Sequence, residues 1–210
     1  MQVEKRFIEG RTVAADVDDD GVKRIAGVAA VFYRDGDQGT EYELWSDAES
    51  RAVERILPSA FDSIDGMDVR ALFNHDPNHV LGRTSSGSLT LRVTDEGLYY
   101  ETEPRDRASY TDVVDMLQTG DVDGSSFSFR ATDVRWTTDG DTEVREIRGV
   151  ELYDVGPVTF PAYQAADSHV RSEARTERDV WRGISKQRGD EQERAATLRE
   201  LKLSEHKSAT

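Results

Sequence analysis

Four histidines and no cysteine bound the chemistry open to this 210-residue chain. With no thiol there is no disulfide, no Cys-ligated metal and no thiolate, so a nucleophile must be an oxygen or an amine. His169 and His206 stand in a charged C-terminal stretch, which leaves His75 and His79 as bases for the folded part near neutral pH. Both belong to Ala71-Leu72-Phe73-Asn74-His75-Asp76-Pro77-Asn78-His79, an apolar strand running into a polar turn. A metal site would require both imidazoles on one helical face, four residues apart with Asp76 between them. Pro77 removes a backbone donor and biases Asp76 away from helical angles. His75 is therefore expected to project from a strand end as a base, and His79 to sit at the surface.

A second segment, Asp121-Val122-Asp123-Gly124-Ser125-Ser126-Phe127-Ser128-Phe129-Arg130, is a tight turn entering a strand. Alternation groups Ser125 with Phe127 and Phe129 on one face and Ser126 with Ser128 on the other. If the phenylalanines pack inward, Ser126 and Ser128 are both eligible hydroxyl nucleophiles. In a third segment, Glu151-Leu152-Tyr153-Asp154-Val155-Gly156-Pro157, Asp154 is an acid within an apolar strand and needs a partner. That partner is either a histidine whose tautomer it fixes or an arginine such as Arg83.

Many short strands are available to position these groups. The run from Val22 to Tyr33 is β-branched and aromatic and ends at Asp35-Gly36-Asp37. Further strands are predicted at 41–45, 52–57, 69–73, 88–93, 98–103, 125–136 and 143–155, bounded mostly by Gly, Asp or Asn. A short helix is expected to open at Pro58, and a longer one over about 107–118, where Tyr110, Val113, Val114 and Leu117 recur at helical spacing before Gly120. This pattern describes a mainly β protein with helices, an α+β barrel or sandwich.

The net charge of −15 argues against a phosphate-binding surface, so no nucleic-acid partner is expected. The opening residues Met1 to Phe7 hold no apolar signal region, and no apolar run approaches the length of a membrane span. The chain is accordingly expected to work in a cytoplasm without a membrane partner. Beyond Pro161-Ala162 the composition turns to Arg, Glu, Lys, Ser and Ala, which divides the chain into a folded domain, 1–167, and a polar tail, 168–210, helical or disordered.

Taken in order, several segments resemble the prohead maturation protease family of tailed phages, distantly related to the herpesvirus assemblins. They are Gly27–Phe32, Val53–Asp62 with its Pro58-Ser59-Ala60-Phe61, Asn74-His75-Asp76, Leu81-Gly82-Arg83-Thr84, Asp123–Phe129 and Asp154–Ala162. The similarity covers about 27–166. By this resemblance His75 matches the catalytic base and Ser126 the nucleophile, with Ser128 standing where the family often has Gly. Asp154 matches the third member, commonly Glu in the family, so Glu151 stays open as the alternative acid. The resemblance implies an antiparallel β-barrel with a few surrounding helices and a serine endopeptidase without cofactor. Its implied substrates are the phage major capsid protein, a scaffold segment or protein, and the protease itself. The implied place of action is the assembling prohead in the host cytoplasm, with self-association possible. A non-catalytic assembly or scaffolding protein retaining the same fold is the alternative.

Overall fold

The computed structural model describes residues 3–8, 14–17, 23–48, 50–160 and 172–192. In chain order the first unit runs β1 (Glu4–Ile8), β2 (Ala14–Val17), β3 (Lys23–Val31), β4 (Tyr42–Ser46), β5 (Arg51–Ile56), β6 (Arg70–Leu72), β7 (Val80–Arg83), β8 (Leu89–Val93), β9 (Gly97–Thr102), α1 (Ala108–Thr119), β10 (Gly124–Asp139) and β11 (Thr142–Val158). The longer sheet has the order β1-β10-β11-β5-β4, with β6 pairing onto β11 and β7 onto β6. The smaller sheet is β2-β3-β9-β8.

The mainly β architecture with helices agrees with the sequence pattern, but the closed barrel does not form: among the described residues both sheets are open. Strand β3 meets the long β10–β11 hairpin through side chains. Ile25, Ala29 and Ala30 share one core cluster with Phe127, Phe129 and Leu152, while the backbone of β3 pairs with β2 and β9. A strand buried on both faces reads as a continuous apolar run whether its sheet is open or closed. Two pairings are also parallel, β11 with β5 and β11 with β6.

Strand β11 is the element that organises the site. One edge pairs with β10 along its length, and the other is shared by β5, over Thr142–Ile147, and β6, at Asp154–Val155. The predicted helix at Pro58 is a single 3₁₀ turn, Pro58–Phe61, that buries Ala60 and Phe61. Helix α1 buries Tyr110, Val113 and Val114 and ends at Gly120, whose φ of 81° suits a glycine cap. Residues 169–210 form a second unit, described over a helix at 172–192, here α2. The rest of the expected 168–210 tail lies outside the described residues. No described helix is long and apolar enough to cross a membrane.

Candidate active site

Alternation along β10 sorts its side chains as the sequence implies. Phe127 and Phe129 are fully buried, their rings stacked with centroids 4.9 Å apart. Ser125 goes inward too, donating to the Tyr100 hydroxyl at 3.2 Å. Ser126 and Ser128 take the opposite face, yet they are only 2% and 1% exposed.

The base arrives from the turn after β6. Because β6 is held beside Asp154 and Val155, which themselves pair with Ser128 and Phe127, the residues that follow it emerge near the first residues of β10. They form a 3₁₀ turn, Phe73–His75, in which Asn74 and His75 both adopt positive φ, 54° and 56°. Left-handed angles are unfavourable for a residue with a Cβ, so the surroundings must hold them. Asn74 is clasped twice by Thr159: its Oδ1 accepts from the Thr159 amide at 2.8 Å, and its Nδ2 donates to Thr159 Oγ1 at 3.1 Å. Amides of Phe73, Asp76 and His79 close the rest of the turn on backbone carbonyls.

The acid depends on a β-bulge. Ser128 stands opposite Asp154 and Phe129 opposite Leu152, so Tyr153 is an extra residue in β11. A regular strand would put Asp154 on the same face as Leu152, which is in the core. The bulge reverses the alternation and turns Asp154 to the face of Ser126 and Ser128, a re-aiming typical of bulges beside functional sites.

These three devices connect the side chains into a chain. His75 Nε2 lies 2.7 Å from Ser126 Oγ, and His75 Nδ1 lies 2.5 Å from Asp154 Oδ1. A carboxylate accepts and cannot donate, so this contact assigns the ring proton to Nδ1 and turns the Nε2 lone pair to the serine. The other carboxylate oxygen, Oδ2, accepts a hydrogen bond from the Ser128 hydroxyl. Such a chain can abstract a hydroxyl proton as the oxygen attacks a carbonyl carbon.

The chain matches the caudovirus prohead serine proteases over residues 11–179. It belongs to that family. No curated protein and no solved structure matches it. Membership in this family supports a serine-protease role in phage maturation.

Other residues weighed from sequence lie elsewhere. Glu151 is half-exposed and ion-paired with Arg130, one register pair beyond the bulge. Arg83 forms a two-pronged ion pair with Asp68, so it is not the partner of Asp154. His79 is exposed, with Nδ1 3.2 Å from Asp76. Both ring nitrogens of His75 are engaged by Ser126 and Asp154, so neither is turned toward His79.

Strand β1 is the part of the site that sequence reasoning missed. It pairs with β10 at the nucleophile, Phe7 opposite Ser126, and the Arg6 carbonyl accepts from Ser126 Oγ at 2.7 Å. The hydroxyl thus has one proton and two acceptors, His75 Nε2 and this carbonyl. On the other face of β1, Arg6 joins a buried cluster. It donates to both oxygens of Glu54, at 2.6 and 2.8 Å, and to Glu4 at 2.7 Å, while Arg145 donates to Glu54 at 2.5 Å and to Glu4 at 2.8 Å. Burial would lower the pKa of Arg6, but Glu54 and Glu4 reverse this and hold it above its ordinary value. For Glu54 burial acts upward, and the attraction of Arg6 and Arg145 overrides it and holds the carboxyl below its ordinary value.

Proposed function

We propose that the protein is a serine endopeptidase in which Ser126 is the nucleophile, His75 its general base and Asp154 the acid that orients His75. The observation that carries this reading is the continuous hydrogen-bonded chain from Ser126 Oγ through His75 to Asp154 in a member of a serine protease family. The ion pair of Glu151 with Arg130 supports Asp154 over Glu151 as the third member.

In the first half-reaction the Ser126 oxygen bonds to the scissile carbonyl carbon as its proton passes to His75 Nε2. The tetrahedral adduct collapses when His75 returns that proton to the departing amine, and the C–N bond breaks to leave an acyl-serine. Water then adds to the ester carbonyl with its proton going to His75. Release of the acid returns a proton to Ser126 Oγ. Asp154 keeps Nδ1 protonated throughout and stabilises the imidazolium. No step draws on a cofactor.

The proposed substrates are the phage major capsid protein, its scaffold segment or protein, and the protease chain itself, cut within the prohead in the host cytoplasm. The domain division proposed is a catalytic part over 1–167 and an appendage over 168–210. An open cleft of about 640 Å³, lined in part by Arg130, Thr132, Gly149 and Glu151, begins two residues along β10 from Ser128 and is the proposed path for the extended substrate. The 2% exposure of Ser126 favours a second reading, a non-catalytic assembly protein of the same fold. Mass spectrometry of co-expressed capsid and scaffold proteins decides between them. New termini with the wild type, lost with Ser126→Ala by a factor near ~10⁶ in turnover, are expected of the protease; identical products from both chains overturn it.

A further inference from the structure

We propose that Ser128 is a positioning residue for this reaction, acting through Asp154 and not on the substrate. The inference rests on the triad reading above and extends it to a fourth side chain. Ser128 is the cross-strand partner of Asp154, and its hydroxyl donates to Asp154 Oδ2, the oxygen that His75 does not use. Both carboxylate oxygens are thereby occupied, Oδ1 by the ring and Oδ2 by the serine.

The need for such a contact follows from the local backbone. Asp154 follows directly on the bulge residue Tyr153, where the ladder is interrupted between the pairs Ser128–Asp154 and Phe129–Leu152. A carboxylate bonded through one oxygen can rotate about its last torsion, because terminal torsions of this type are broad. A second bond from a neighbouring strand removes that freedom and fixes the direction in which Oδ1 faces the imidazole. The Ser128 hydroxyl is bonded to the acid, whereas the His75 ring nitrogen that would take a proton faces Ser126, so Ser128 is not the attacking group. Desolvation strengthens the contact, since a hydrogen bond to a charged group is worth more than one between neutral groups.

A double-mutant cycle tests this with a fluorogenic peptide spanning a junction found among wild-type cleavage products. Ser128→Ala removes one buried oxygen and introduces no bulk, so the chain should fold and bind peptide with KM unchanged. Its kcat is expected to fall about 10- to 100-fold, the range for losing a hydrogen bond to a charged partner. Asp154→Ala should lower kcat further, and the double variant should match Asp154→Ala alone, because Ser128 has nothing left to position. The proton NMR signal of the His75 Nδ1–H bond to Asp154 should shift or broaden in Ser128→Ala. Multiplying losses in the double variant, a loss confined to KM, or wild-type kcat in Ser128→Ala would each overturn the positioning role while leaving the triad intact. Undiminished cleavage by Ser126→Ala would instead overturn the triad reading, and the positioning role with it.

Discussion

Gly156→Ala is the substitution that tests how β11 positions the base. Gly156 stands opposite Ser126 in the β10–β11 register and has a φ of 154°, which side chains rarely adopt. A Cβ there would lie 2.1 Å from the carbonyl oxygen of Leu72, about 1.3 Å short of the 3.4 Å at which ordinary contact begins, and a close-packed interior has no slack to absorb the difference. The obstacle is backbone, the last residue of β6, and His75 follows it by three positions. Relief therefore requires β6 and its turn to move off β11 by roughly 1 Å, and misplacement on that scale lowers kcat by about 10²-fold. Overpacking of this kind also destabilises by about 1–3 kcal/mol, so peptide cleavage should be measured well below the melting temperature. Gly140→Ala, at the β10–β11 turn where an added Cβ meets nothing, is the control for a positive-φ glycine remote from the site. If Gly156→Ala retains kcat within about threefold of the wild type, the claim that this close approach sets the His75 geometry is wrong.

Two further outcomes concern the buried charge cluster under β1. Arg6→Ala leaves Glu54, fully buried, with half its cationic neighbours, and should reduce stability by about 3–5 kcal/mol in urea unfolding; a loss under about 1 kcal/mol would mean that β1 is held by its backbone pairing alone. Glu54 also sets an acid limit. Its folded pKa is depressed from the ordinary 4.5, so its contribution is complete above that value and is lost as pH falls through the folded value. Melting temperature should therefore drop more steeply with acid in the wild type than in Glu54→Gln, and parallel curves would contradict this assignment.

How much of this was legible depended on whether a residue's role is local. His75 emerged from simple elimination, since two other histidines lie in the charged tail and Pro77 breaks the helical spacing to His79. The inward face of Phe127 and Phe129 followed from period-two alternation, which needs no partner strand. That pattern made Ser126 and Ser128 equally eligible, and only the family resemblance favoured Ser126. The bulge at Tyr153 was not readable, because a bulge is a property of a pairing and nothing in Leu152-Tyr153-Asp154 marks it. Strand β1 was invisible for a different reason. Its inward residues, Glu4 and Arg6, are charged, so its alternation looks inverted until Glu54 and Arg145 are brought alongside from far along the chain. The barrel expectation failed because apolar strands report burial on both faces and do not report which edges pair.

The most direct test of the central claim is covalent capture of the nucleophile. Treatment with a peptidyl phosphonate, followed by peptide mapping in the mass spectrometer, should place the phosphonyl adduct on Ser126 and leave Ser128 unmodified. His75→Ala should abolish that adduct, because the hydroxyl then has no base to take its proton. An adduct on another residue, or one on Ser126 that forms equally fast without His75, would contradict the account.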